Sequence, residues 1–112
     1  MWCNAQALSD REVIRMCQLA YNASYGVGLG LLNPNVKRSL SFDDAASALS
    51  KCLVIGEIHM DYVNGRMVKL RMHRNAEGLW EFPSRPLNPE YQSWCTVYPS
   101  YDSLVQAAKQ DS

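Results

Sequence analysis

The sequence lacks the motifs that identify most metal proteins and thiol enzymes. It has only two histidines, and its four cysteines, Cys3, Cys17, Cys52 and Cys95, are widely spaced and include no C-x-x-C pair. That spacing argues against a zinc ribbon or a thioredoxin-like site, so we expect neither a metal nor a cofactor. In a reducing compartment such cysteines are expected to stay free thiols.

The sequence also has no excess charge of either sign. Lys plus Arg and Asp plus Glu number 11 each, and the pI is near 6.7. We therefore expect no general attraction to nucleic acid or to an anionic membrane. Acidic residues such as Glu77 and Glu81 interleave with the basic residues near Trp80, which also weighs against a nucleic-acid interface. Because the net charge is zero, two copies of the chain repel each other only weakly, which favours self-association.

No basic segment followed by an apolar run opens the chain, so no secretory signal is predicted and a cytoplasmic location is expected. Residues 16–36 carry no charge, but Gln18, Asn33 and Asn35 predict a buried helix and connection there rather than a membrane span. At 112 residues and 47% hydrophobic, residues 1–112 are expected to form a single domain. Compact, motif-poor chains of this kind are often accessory proteins of bacteria or mobile elements, an association that rests on no particular residue.

Residues 52–74 are predicted to form a β-hairpin around Asn64-Gly65, a dipeptide typical of hairpin turns. A connection of Asn64 and Gly65 alone would place apolar residues opposite charged ones, with Met60 facing Lys69. A connection that also includes Val63 sorts the side chains into one apolar and one charged face. We therefore predict the longer connection, with these opposed residues: Met60 and Val68, Ile58 and Leu70, Gly56 and Met72, His59 and Lys69, Glu57 and Arg71.

The charged face of this hairpin is the first candidate site. Its side chains are Glu57, His59, Asp61, Lys69, Arg71 and His73. His59 beside Asp61 has the composition of a general acid-base pair. Alternating charges on the wet side of a hairpin more often form a solvated ladder, which is the simpler interpretation.

Helix signals flank the hairpin on both sides. Ser9 and Glu12 form a capping box that predicts a helix from Asp10 to about Gly26. Ser41 predicts a second helix that ends near Ser50. Ser100 predicts a third over residues 101–110, with Leu104, Val105 and Ala108 on its buried side.

Two further strands are predicted after the hairpin, over residues 79–83 and 91–98. Trp80 and Phe82 should lie on the same side of the first. Its register stays open: a left-handed Gly78 would oppose Met72 to Phe82, and a shorter loop would oppose Met72 to Trp80. The predicted fold is α+β, with two N-terminal helices, an antiparallel meander of three or four strands, and a C-terminal helix packed with the others on one sheet face.

Three other sites find little support in the sequence. The glycines of residues 26–30 lack the strand and helix that a phosphate-binding loop requires. A metal site of His59, His73, Cys52 and Cys95 would need Cys52 and His59 to converge, although their side chains point to opposite faces of one predicted strand. Cys95 could act as a nucleophile with a histidine as base, but a cysteine in an apolar strand is usually inert.

The strongest candidate surface is the aromatic and apolar cluster around Pro83, Pro86 and Pro89. Aromatic side chains beside a rigid loop are typical of interface anchors, although many will fill the core. Its residues are Trp80, Phe82, Leu87, Tyr91, Trp94, Tyr98 and Tyr101.

The leading hypothesis is a non-enzymatic interaction module that self-associates through this cluster or through the hairpin edge. The alternative is a small-molecule-binding protein or minor enzyme with an aromatic pocket between residues 26–33 and the sheet. Four side chains would converge on that pocket: Tyr21, Tyr25, Trp80 and Cys95.

Overall fold

The computed structural model describes residues 7–26, 40–63, 66–82 and 92–110. Over these residues the chain forms four α-helices and a three-stranded antiparallel sheet of order β1-β2-β3, so the predicted α+β class is confirmed. No helix in this part of the chain has the length and apolar character needed to cross a membrane. The elements are α1 (Asp10–Gly26), α2 (Phe42–Ala48), α3 (Ser50–Ile55), β1 (Glu57–Val63), β2 (Arg66–Arg74), β3 (Trp80–Glu81), a 3-10 helix (Ser93–Thr96) and α4 (Tyr101–Gln110).

The predicted helix starts are confirmed by their capping hydrogen bonds. The Ser9 amide donates to Glu12 Oε1 at 2.9 Å, and the Glu12 amide donates to Ser9 Oγ at 3.2 Å. Ser41 Oγ accepts from the Asp44 amide at 3.1 Å, and Ser100 Oγ accepts from the Ser103 amide at 3.1 Å. Each serine thereby satisfies an amide that has no partner within its helix.

The predicted register of the hairpin is wrong. Ile58 pairs with Met72, Met60 with Leu70, His59 with Arg71 and Glu57 with His73. Nearer the connection Val63 pairs with Arg66, which leaves only Asn64 and Gly65 between paired residues. The conformation of those two residues lies outside the described part of the chain. The shorter connection is therefore the one that the pairing supports.

A β-bulge allows the hairpin to have the two-residue connection and still keep one apolar and one charged face. Met60 pairs with Leu70 and Tyr62 with Met67, so Asp61 alone faces both Val68 and Lys69. Lys69 has φ 51, in the left-handed region that β-bulges commonly use. The extra residue in β2 shifts the pairing by one residue. Beyond the bulge, apolar residues of β1 lie opposite apolar residues of β2.

The sorting of the two faces is confirmed even though the opposed pairs are not those predicted. From Glu57 to Met60 the observed register differs from the predicted one by two residues, and side chains alternate with period two, so the residues on that side of the bulge keep their faces. Ile58, Val68, Leu70 and Met72 are all buried. Glu57 and His73 are exposed on the other side.

The first predicted strand starts too early, because residues 52–55 are helical. α3 continues the apolar face of α2, since Ala45, Leu49 and Cys52 recur at spacings of four and three residues. Gly56 ends this helix with φ 91 while its amide donates to the Cys52 carbonyl at 2.8 Å. A left-handed glycine at this position is a common helix terminator, and it delays β1 until Glu57.

The predicted fourth strand over residues 91–98 is also wrong for its described part, residues 92–98. Residues 93–96 form a 3-10 helix, and the Tyr98 amide donates to the Trp94 carbonyl at 2.9 Å. The free edge of β3 is instead taken by Leu8, which exchanges two hydrogen bonds with Trp80 at 2.9 and 2.8 Å. Leu8 therefore occupies the position beside Trp80 that a fourth strand would need.

The turn before β3 resolves the register that the sequence left open. His73 pairs with Glu81 and Arg74 with Trp80. This is the register in which Met72 would oppose Phe82, the one predicted for a left-handed Gly78. Gly78 has φ 85, as the longer predicted turn requires. Trp80 and Phe82 are both buried, in agreement with their predicted common side.

Asp10 and Arg74 join the start of α1 to the sheet and to α3. Asp10 Oδ1 accepts from Trp80 Nε1 at 2.7 Å and from Arg74 Nη1 at 2.9 Å. The Arg74 guanidinium lies 4.8 Å from the Trp80 ring centroid and also donates to the Leu53 carbonyl. Without Asp10 the buried Trp80 Nε1–H would lose its acceptor, at a cost of about 1 to 3 kcal/mol.

α4 packs against α1 and carries the predicted buried residues Leu104, Val105 and Ala108. Lys109 Nζ donates to the Ala7 carbonyl at 3.1 Å and to Glu12 Oε1 at 3.3 Å. Burial alone would raise the pKa of Glu12, but hydrogen bonds from Ser9 and Lys109 and the charge of Lys109 bring it below its ordinary value. The two ends of the described chain are joined in this way.

The bulge can be tested with Lys69→Gly and Arg71→Gly, because both side chains contact Asp61 Oδ1, at 3.5 and 3.6 Å. Glycine costs about 0.5 to 1 kcal/mol in an ordinary strand. At Lys69, whose backbone is left-handed, glycine also relieves about 1 to 2 kcal/mol of backbone strain, and this gain opposes the cost. We expect Arg71→Gly to lower the free energy of unfolding by about 1 kcal/mol more than Lys69→Gly in chemical denaturation. Equal losses would contradict the bulge.

Candidate interaction site at the edge of the sheet

The charged hairpin face is a row of partly exposed ion pairs. Asp61 Oδ1 lies 3.5 Å from Lys69 Nζ and 3.6 Å from Arg71 Nη2. His59 Nε2 lies 3.3 Å from Glu57 Oε1, and His73 Nε2 lies 3.3 Å from Glu81 Oε1. The structure thus brings the predicted polar residues together, but it pairs His59 with Glu57 and pairs Asp61 with the cations. Each exposed pair contributes at most about 1 kcal/mol.

The aromatic residues divide between core and surface. Trp80 and Trp94 are fully buried, and Phe82 nearly so. The Phe82 ring stacks on Tyr101 with centroids 3.9 Å apart, and the Trp94 ring lies 5.7 Å from that of Tyr101. Tyr98 and Tyr101 pack against the core while remaining partly exposed. Leu87 and Tyr91, the other predicted members, lie outside the described residues.

Cys95 lies beside this aromatic group in the 3-10 helix. Burial raises the pKa of its thiol, which is the opposite of what an activated nucleophile needs. Burial also raises the pKa of Tyr101, partly offset by a hydrogen bond with Gln92 and augmented by Cys95. Among the described residues, no group of three or more His, Cys, Asp and Glu side chains is placed to share a metal ion.

β1 is an end strand of the sheet, with its inner edge paired to β2. The Arg74 amide donates to the Gly56 carbonyl at 2.9 Å. Because successive residues of a strand direct their backbone groups to alternate sides, Ile58 and Met60 direct theirs to β2. Glu57 and His59 direct theirs outward. No strand in the described part of the chain pairs with that outer edge.

An apolar cleft of about 420 Å³ runs along this edge, and we call it the edge cleft. His59 and Met60 both line it. Consecutive residues of a strand point to opposite faces, so a cleft lined by both must open on the strand's edge. Its other walls come from α1, Leu40, α2 and α3: Cys17, Tyr21, Leu40, Ala45, Ala48, Leu49 and Cys52.

The predicted aromatic pocket borders residues 26–33, of which residues 27–33 lie outside the described part of the chain. The edge cleft is a different site that shares one of the four side chains predicted to converge there. Tyr21 lines it, whereas Trp80 and Cys95 do not, and the side chain of Tyr25 lies outside the described residues. The sequence does not indicate that α2 and α3 line a common cleft, because Cys52 is predicted to lie in a strand. The spacing of Ala45, Leu49 and Cys52 was the signal that could have found them.

An exposed apolar patch adjoins the same end of β1. Val54 is 88% exposed and Ile55 is 72% exposed, and Gly56 alone separates them from the strand. With Ser50 and Lys51 they border a shallow hollow. Two neighbouring β-branched residues exposed to this extent contribute nothing to the core, and such apolar exposure is typical of contact surfaces.

The two cysteines of the edge cleft provide a test of its depth. Burial, with a smaller contribution from nearby Cys52, raises the pKa of Cys17 to about 12. We expect iodoacetamide at pH near 9 to leave Cys17 unmodified in the native protein and to modify it in denaturant, because alkylation requires an accessible thiolate. Peptide mass spectrometry reads out each site. Alkylation of native Cys17 at the rate of the denatured protein would contradict the described burial.

No protein-family model matches this chain, and neither a curated protein nor a solved structure is significantly similar to it.

Proposed function

We propose that this protein is a non-enzymatic interaction module that self-associates through the outer edge of β1 and the edge cleft. The observation that carries the proposal is the position of the cleft. The cleft places an apolar surface directly beside backbone groups of β1 that form no hydrogen bonds with any described strand. Strand addition at a sheet edge draws affinity from main-chain hydrogen bonds and specificity from neighbouring side-chain pockets.

Three further features support self-association. The net charge of 0 leaves little repulsion between copies. Val54 and Ile55 extend the apolar surface beyond the cleft. The sequence predictions of a cytoplasmic location and of an accessory role in a bacterium or mobile element remain part of the proposal.

The second candidate function, binding of a small molecule, is favoured by the size of the edge cleft. Its volume of about 420 Å³ falls in the range of small-ligand pockets. An apolar compound with one polar group would suit a site lined by Cys17, Tyr21 and Met60 with His59 at the edge. Ligand and second copy would compete for one surface, so a compound that blocks self-association would favour this alternative.

A charge placed in the edge cleft tests the proposed function. Ala48 lines the cleft and is exposed, so Ala48→Lys adds an ammonium group without removing a core side chain. Sedimentation velocity over a wide concentration range should show wild-type dimers. We expect Ala48→Lys to weaken dimerisation about tenfold or more, because burying an unpaired charge is costly.

The matched control is Ser47→Lys, which adds the same charge at the preceding exposed residue, outside the cleft. It should dimerise as the wild type does. A wild type that stays monomeric at every concentration would refute self-association. Equal weakening by both variants would show that the cleft is not the contact.

A further inference from the structure

The outer edge of β1 offers a second copy few backbone groups. Glu57 and His59 direct theirs outward, the chain before Glu57 is helical, and the register shift after Met60 interrupts the alternation. Antiparallel pairing of two such edges therefore provides only about four hydrogen bonds, two for each opposed pair. An isolated strand pair is marginally stable in water, and stable interfaces bury about 1,200 to 2,000 Å². A dimer formed at this edge needs apolar contacts beside the strands.

The exposed apolar patch of Val54 and Ile55 is in the right place to supply such contacts. Among the described residues, the exposed large apolar side chains are these two and Val97. Val54 and Ile55 precede β1 with Gly56 alone between, whereas Val97 follows the 3-10 helix. The patch is thus continuous along the chain with the edge that self-association would use.

The patch and the edge cleft lie at different levels along β1. Ala48 and Cys52 line the cleft together with His59 and Met60, so α3 runs back from Gly56 along the strand. Val54 and Ile55 stay at the level of the strand's first residue. Measured from Ile58, the patch lies toward the start of β1 and the cleft toward its end.

Two-fold symmetry brings these two levels together. An antiparallel pair of identical strands is symmetric about a two-fold axis. Both outward residues of each copy form hydrogen bonds when Glu57 of one copy opposes His59 of the other, and Ile58 then lies on the axis. Opposing Glu57 to Glu57, or His59 to His59, would use only one outward residue of each copy. With Ile58 on the axis, the start of each strand lies beside Met60 of the other.

We infer that Val54 and Ile55 of each copy cover the edge cleft of the other copy. This inference rests on the proposed self-association and names the side chains that make its apolar contact. Val54 and Ile55 are 88% and 72% exposed, and the cleft has an apolar lining with a volume of about 420 Å³. Their burial there removes apolar surface of both copies from water, which is the contribution that the short strand pairing lacks.

A charge exchange between the patch and the cleft tests this contact, with dimerisation measured by sedimentation. Ala48→Lys and Val54→Glu change exposed residues, so neither removes a core side chain. Each alone places an unpaired charge in an apolar contact, and we expect dimerisation to weaken about tenfold or more.

The variant that carries both substitutions distinguishes two arrangements. Where patch covers cleft, each introduced ammonium faces an introduced carboxylate of the other copy. We expect dimerisation to return to within about threefold of the wild type, because the two substitutions are coupled across the contact. Where patch meets patch and cleft meets cleft, like charges are opposed and the double variant is the weakest of all.

Val97→Glu is the matched control, since it adds the same charge at an exposed valine away from β1. It should dimerise as the wild type does. Circular dichroism verifies that each variant is folded.

The outcomes separate the two proposals. A double variant that dimerises no more tightly than the single variants overturns the contact between patch and cleft but leaves self-association standing. The same holds if Val54→Glu dimerises as the wild type does, or if Val97→Glu weakens the dimer equally. A wild-type protein without any dimer overturns self-association and this contact with it.

Discussion

The alternation of side chains along the β1–β2 hairpin is the constraint on which the rest of the structure depends. One face carries Ile58, Val68, Leu70 and Met72 into the core, and the other carries charges into water. A slip of one residue would bury the charges, so only registers that differ by two residues are compatible with the core. The bulge at Lys69 meets this requirement. Val63 pairs with Arg66 on one side of the bulge, and on the other side the pairing is shifted by one residue.

A second set of contacts positions the helices on this hairpin. Arg74, at the end of β2, contacts Asp10 at the start of α1, and the same carboxylate accepts from Trp80 of β3. Leu8 then closes the outer edge of β3. One edge of the sheet is thus covered at Trp80 by the chain that leads into α1. Within the described residues the other edge, formed by β1, has the edge cleft beside it and no strand.

Local signals in the sequence predicted local structure well. The serines at residues 9, 41 and 100 each identify a helix start. Their hydroxyls accept hydrogen bonds from first-turn amides that have no partner within the helix, whatever the tertiary context. The left-handed position of Gly78 follows from the longer turn that the sequence allowed. The burial of Leu104, Val105 and Ala108 follows from helical spacing alone.

Features that depend on tertiary contacts were not predictable in this way. The pairing of Leu8 with Trp80 joins residues 72 positions apart in the chain, and it occupies the sheet edge where the sequence predicts a strand over residues 91–98. Cys52 and its apolar neighbours are compatible with a strand or with a helix. In the structure they are helical, and the left-handed Gly56 ends that helix. The bulge needs a left-handed lysine, which no sequence pattern indicates. The edge cleft could not be predicted because four separate elements and Leu40 build it.

The proposed function depends on an outer edge of β1 that is open in one copy and covered when two copies meet. Charged residues along an edge strand discourage unspecific pairing of that edge. Fold class alone would not have indicated this, since α+β domains of similar size perform unrelated functions.

Hydrogen exchange measured residue by residue at low and high protein concentration tests this claim most directly. We expect the amides of Glu57 and His59 to exchange rapidly in dilute protein and to become protected at high concentration. The amides of Ile58 and Met60, which bond to β2, should be protected at both. Protection of the outward amides that is already complete in dilute monomer would contradict the open edge, and so would rapid exchange at every concentration.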